Sequence, residues 1–179
     1  MKVLASLCLI VMIIALACNN PNTKETAQLE GTKKEVLKNF SDSLVADTFI
    51  VKIVGTKLNS QKLDFKIISQ KGAILYHREI SSSDILNNYD ATIDLKKNKN
   101  KARFLESEIA RFLDDENFME PAITDNETPD NNVPDTAFYE ELKASGLNGF
   151  SYRLGKEEKI YIGWSAKENK VKIYYNCCK

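Results

Sequence analysis

Three runs of alternating apolar and polar residues lie close together in the first half of the chain, and they constrain the fold more than any other feature. Thr48 to Val54 (TFIVKIV) puts Phe49, Val51 and Ile53 on one face, and Leu63 to Ile68 does the same with Leu63, Phe65 and Ile67. β-Branched and aromatic residues at a period of two form half-buried strands. Asn59-Ser60 supplies a turn between the two runs, which therefore read as a hairpin. A third run, Ala73 to Ile80, follows the Lys71-Gly72 turn, with Ile74, Tyr76 and Ile80 expected inward and Arg78 on the same side. Connections this short make an antiparallel meander the expected topology.

Elsewhere the periods are mixed. Lys33 to Phe40 carries Val36, Leu37 and Phe40 at helical spacing and reads as one or two helical turns. Ser81-Ser82-Ser83-Asp84 reads as the start of a short helix, Ala91 to Leu95 as a further strand, and Lys96 to Lys101 as a solvated basic connection. From Ala102 the period becomes helical: Leu105, Ile109, Phe112 and Leu113 form one stripe, with Glu106, Glu108 and Arg111 outside it. This helix runs into Asp114-Asp115-Glu116, an acidic end that opposes the helix dipole and needs lysines nearby. Residues 120–135 hold three of the four prolines among many Asp and Asn, which leaves a long surface loop. Asp135 can cap a helix from Thr136 to Ala144 that Gly146 closes. Three strands follow: Gly149 to Leu154, Lys159 to Trp164 and Lys170 to Asn176. The expected class is α+β, with antiparallel strands in two groups and one main amphipathic helix packed on a sheet.

The amino-terminal residues obey a different logic. Met1-Lys2 precedes Val3 to Ala17, where Ser6 is almost the only polar residue. This is the layout of a secretory signal, and it falls short of the roughly 20 apolar residues of a spanning helix. Ala15-Leu16-Ala17 puts small side chains at the first and third positions before Cys18, where cleavage is expected. Ala17-Cys18 also resembles the end of a lipobox, with Ala15 and Leu16 in the reverse of the usual order. On these residues the chain resembles the many small lipoproteins of Gram-negative bacteria that carry a domain of unknown function. The resemblance implies a diacylglycerol thioether on Cys18 and a further acyl chain, such as palmitate, on the new amino group. It also implies attachment to the outer or inner membrane, facing the periplasm or the cell surface. At about 0.8 kcal/mol per buried CH₂, two or more chains hold stably where one would not. The same residues fit ordinary secretion, which leaves Cys18 as a free or disulfide-linked thiol. The expected organisation is a signal over 1–17, a lipidated start and polar tether over 18–32, and a single domain over 33–179.

With Cys8 in the signal and Cys18 lipidated, only Cys177 and Cys178 remain for the folded part, which is no disulfide framework. The pair has two readings, a redox or soft-metal site and one buried residue beside one exposed thiol, and the second is the expectation. The formal net charge is zero, slightly negative once Lys2 is removed, so neither nucleic acid nor another polyanion is implied as a partner.

Candidate chemistry is sparse. His77, the only histidine, shares a strand face with Glu79, and a histidine beside a carboxylate can act as a base. The blander expectation is two solvent-facing residues in cross-strand pairs. Asp114, Asp115 and Glu116, with the loop carboxylates Asp125, Glu127, Asp130 and Asp135, offer oxygen ligands for calcium. They lack the D-x-[DN]-x-[DN]-G spacing, so solvated charge is expected and no metal or cofactor is assigned. No G-x-S-x-G and no glycine-rich phosphate loop is present. Tyr161, Trp164 and Tyr174 in the last hairpin are the candidate binding residues, suited to stacking sugars or peptides where they are exposed.

The functional expectation is a noncatalytic binding or accessory module of the cell envelope, with a protein or glycan partner. One alternative is an envelope hydrolase using His77 and Glu79 or the acidic cluster at Asp114. Another is a structural or assembly component of an envelope complex. If Cys18 is lipidated, the native protein partitions into the detergent phase and its first tryptic peptide carries the mass of the acyl groups. A water-soluble product with an unmodified Cys18 defeats the anchored reading.

Overall fold

The computed structural model describes residues 31–57, 60–86, 94–154 and 158–177. The α+β class is correct, and the two strand groups form two separate four-stranded antiparallel sheets. The first is a meander of β1 (Lys33–Asn39), β2 (Ala46–Val54), β3 (Lys62–Ile68) and β4 (Ile74–Ser81) in sequence order. The second orders β5 (Phe118–Met119), β6 (Gly149–Leu154), β7 (Glu158–Ser165) and β8 (Lys170–Cys177). Among the described residues three α-helices accompany them, α1 (Ser82–Leu86), α2 (Asn98–Phe112) and α3 (Thr136–Ser145), with a 3-10 turn over Asp115–Asn117.

Four expectations need correction. Lys33 to Asn39 is an edge strand, not a helix, because its alternate residues face an acidic turn. Lys34 pairs with Asp114 at 2.5 Å, and Lys38 reaches Asp115 at 3.1 Å and Glu120 at 3.0 Å, so lysines neutralise the acidic end of α2. Backbone pairing to β2 begins even earlier, with the Gly31 amide donating to the Ile53 carbonyl. In β4, Ile80 is buried as expected and Tyr76 packs against the core. Ile74, however, is 60% exposed, because the register shifts between Ile67 and Ile68 and turns the strand's first residue outward. Arg78 lies opposite Phe65, yet its side chain escapes to solvent at the sheet edge. α2 starts at Asn98 inside the basic run, where the Asn100 side-chain amide donates to the Asp94 carbonyl. The strand expected over 91–95 falls mostly outside the described residues, and Leu95 is buried in a turn.

The main core lies between the sheets. Phe49, Val51, Leu63, Phe65 and Ile67 line the inner face of the first sheet. They meet Leu105 and Ile109 from α2 and Phe150, Tyr152, Ile160 and Ile162 from one face of the second sheet. Phe150 is fully buried, and its ring centroid lies 5.3 Å from Phe49, 5.2 Å from Phe65 and 4.9 Å from Phe118. The opposite face of the second sheet carries α3, whose Phe138, Tyr139 and Leu142 form a second core with Tyr174. α3 has the expected ends: the Asp135 carboxylate accepts from the Phe138 amide at 3.0 Å, and Gly146 closes it in a left-handed conformation. Close approach of this helix requires glycine at position 163, because a Cβ there would sit 2.4 Å from Leu142 Cδ2.

Phe150→Ala removes the ring that joins both sheets, and its expected cost is about 3–5 kcal/mol in urea unfolding at neutral pH. An effect below about 1 kcal/mol, close to what surface substitutions cost, would contradict this account of the core.

Candidate functional site

The concave feature that gathers the most suitable chemistry lies on the α3 side of the second sheet. It is a cavity of about 320 Å³ with Tyr139, Tyr161, Tyr174 and Tyr175 in its wall and Glu127 and Asp130 at its exposed rim. Alternation along β7 builds it: Tyr161 projects toward α3, while Ile160 and Ile162 project into the main core. A register shift at Tyr161/Ile162 lets both Tyr174 and Tyr175 reach the same side. The Tyr161 ring lies 6.0 Å from Tyr174 and 5.5 Å from Tyr175, in edge-to-face arrangements. Tyr139 arrives from α3, one turn beyond the Asp135 cap.

The loop over 120–135 completes the wall and is firmly held. The Asn176 amide donates to the Asn132 carbonyl at 3.0 Å, and the Ala122 amide donates to Leu147 at 2.8 Å. Lys143, at the carboxyl end of α3, donates to the carbonyls of Asp125 and Glu127 at 2.8 and 2.7 Å. The Glu127 carboxylate accepts from the amide and hydroxyl of Thr124. Asp130 accepts from the Asn132 amide at 2.8 Å and from the Tyr175 hydroxyl at 2.9 Å. The Tyr174 hydroxyl donates to the Ala122 carbonyl at 3.1 Å. This contact requires glycine at position 149, where a Cβ would lie 2.8 Å from that hydroxyl.

The titration shifts follow from this packing. Burial raises the Tyr174 phenol far above its ordinary value of 10.0, with the charge of Glu127 contributing. Burial, then Glu127, Glu140 and Asp130, raise Tyr139 as well. For Tyr175 the Asn132 hydrogen bond acts downward, but donation to Asp130 and burial outweigh it. Asp130 is lowered, chiefly by the Asn132 amide, with burial opposing and the Tyr175 hydroxyl assisting. Tyr139, Tyr174 and Tyr175 therefore stay neutral and Asp130 stays ionised over the physiological range.

No family model, curated protein or solved structure matches this chain.

The remaining sequence candidates are scattered. Tyr161 and Tyr174 do meet in the cavity, but Trp164 packs against the main core on the other side of the sheet, three residues from Tyr161 and so on the opposite face. His77 and Glu79 share the outer face of the first sheet without pairing to each other. His77 Nε2 lies 2.6 Å from Asp64 Oδ1, and Glu79 pairs with Lys62 at 2.6 Å. Asp114 belongs to the opposite edge of that sheet, beside β1, three strands and about 14 Å from β4 at the usual spacing. Of the loop carboxylates, Asp135 is taken by its capping role and by Lys172 at 2.8 Å. Among the described residues no three His, Cys, Asp or Glu side chains converge as a metal site. Ala17, Cys18 and Cys178 lie outside the described residues, and Cys177 is disulfide-bonded, which corrects the expectation of a free cysteine at that position. Sequence reading missed Tyr139, Tyr175, Glu127 and Asp130 as a group, because they come from separate elements.

Asp64 is the outer face's electrostatic hub, its side chain 8% exposed between Lys52, Lys66 and His77. Burial, the largest influence, would raise its carboxyl, but hydrogen bonds to Lys66 and His77 outweigh it and hold the group below its ordinary 3.8. A depressed folded value means the stabilisation is present above 3.8 and fades as the pH falls through the folded value. Asp64→Asn is accordingly expected to cost roughly 1 kcal/mol at neutral pH, allowing for half-exposed partners. In urea melts the gap from the parent protein narrows below pH 3.8. A gap independent of pH would show that the charge contributes nothing.

Proposed function

We propose that this chain is an exported lipoprotein, tethered to a membrane of the cell envelope through Cys18, and that its domain is a noncatalytic binding module. The observation that carries the binding reading is the tyrosine-walled cavity. Four phenol rings from β7, β8 and α3 converge with two loop carboxylates in a volume suited to a small ligand or one residue of a larger one. Aromatic walls with a few fixed polar groups are what a recognition pocket requires. The firm anchoring of the loop by Lys143, Asn132 and Ala122 means that little ordering entropy is lost on binding. The tether fits a protein that must reach a partner from a membrane surface.

A second reading, an assembly component, has one observation in its favour. Leu37 (66% exposed), Leu44 (90%) and Ile74 (60%) all lie at the end of the first sheet where the β1–β2 and β3–β4 connections turn. Exposed apolar side chains at one end of a sheet suit a protein contact.

One experiment separates the two. Ligand-observed NMR with a panel of small molecules, glycans and peptides is run on the parent protein and on Tyr161→Ala, beside affinity purification of the parent and of Leu44→Ser. Binding in the panel that Tyr161→Ala weakens at least about tenfold supports the cavity, by the worth of one lost aromatic contact. No binding in the panel, together with a co-purifying protein lost in Leu44→Ser, supports assembly and defeats the cavity reading.

A further inference from the structure

The cavity has a charge character that narrows its ligand. Among the described residues lining it, Glu127 and Asp130 are the charged ones and both are acidic, so the lining carries a formal charge of −2. Aromatic ring faces are also negative, through their quadrupoles. Carboxylates and ring faces therefore repel the same ligands and attract the same ligands. Anions such as phosphates, sulfonates and free carboxylates are disfavoured on both counts.

A neutral sugar is a poorer fit for another reason. Sugar recognition needs hydrogen-bond donors aimed at hydroxyl and ring oxygens. Here two of the four phenolic protons are already committed, that of Tyr174 to the Ala122 carbonyl and that of Tyr175 to Asp130, and the two carboxylates at the rim only accept. A substituted ammonium group needs no donor. It needs ring faces, a nearby negative charge and room, and alkylation lowers the cost of taking it out of water. The Tyr161 ring already attracts a cation, since the Lys159 ammonium, which is not part of the cavity lining, sits 5.0 Å from its centroid and offsets part of the acidic charge. Met119 adds a polarisable thioether to the wall.

Resting on the binding reading above, we propose that the cavity between β7, β8, α3 and the 120–135 loop binds a small organic cation, its alkylated ammonium group held against the tyrosine rings and balanced by Glu127 and Asp130. The volume of about 320 Å³ suits a molecule the size of choline or somewhat larger, at the lower end of ligand pockets.

The test titrates the full-length protein, in a polyoxyethylene detergent that carries neither ammonium nor sugar, with choline. Parallel titrations use dimethylbutanol, in which carbon replaces the charged nitrogen, and glucose. Calorimetry or NMR is expected to show choline bound at least about tenfold more tightly than its uncharged isostere, the margin that charge recognition by aromatic rings and carboxylates supplies. Glu127→Gln, Asp130→Asn and Tyr161→Leu are each expected to weaken choline by several-fold to about tenfold, with thermal melts confirming that the variants fold. The comparison of ligands on the parent protein decides the matter even if a variant does not fold. Equal binding of choline and dimethylbutanol, or a preference for glucose, overturns the cation inference and leaves the binding module standing. Choline binding that all three folded variants leave unchanged places the ligand elsewhere and also overturns it. No binding by any probe at millimolar concentration overturns the cation inference, and the binding module is then decided by the wider panel.

Discussion

Burial of the second sheet on both of its faces is the constraint around which the domain is organised. One face must be apolar enough to close the core against β2, β3 and α2, and Phe150, Ile160 and Ile162 meet that demand. The other face supports α3 over Gly163 and carries tyrosines rather than aliphatic residues. A phenol can bury its ring while keeping its hydroxyl paired, as Tyr174 does with Ala122. The same strands therefore supply a closed core on one side and a partly open aromatic wall on the other.

The first sheet solves a different problem. Its inner face is apolar, whereas its outer face is a charge lattice in which Asp64 gathers Lys52, Lys66 and His77. The edge strand β1 contributes little apolar burial; beyond its backbone ladder to β2, Lys34 and Lys38 tie it to the acidic residues after α2. An ionic seam thus stands where hydrophobic contact would be expected. Half-exposed pairs of this kind contribute modestly in energy but specify which strand lies beside which helix end.

Much of this was legible in the sequence, and the misses have physical causes. The strands around Phe49, Phe65, Tyr152, Tyr161 and Tyr174 announce themselves by alternation, and α2 by the stripe through Leu105 and Ile109. β1 did not, because alternate burial there is carried by lysine stems and Val36, while Phe40 happens to fall at helical spacing. The outward turn of Ile74 and the joint approach of Tyr174 and Tyr175 both depend on register shifts, which no period reveals. Two tyrosines of the candidate site were visible as an aromatic cluster. Its carboxylates were visible only as loop charge, since their convergence depends on where Lys143 and Asn176 fasten the loop. The opposite facing of Tyr161 and Trp164, by contrast, follows from simple counting along β7.

The bond between Asn176 and Asn132 has a second consequence. β8 is the last strand of its sheet, and a bare outer border of amides and carbonyls is a template on which a neighbouring molecule can add another strand. By fastening to that border at Asn176, the 120–135 segment occupies part of a place where self-association would begin. Trimming the segment thus risks clumping as well as an altered cavity, and solubility becomes a constraint on its sequence separate from any ligand.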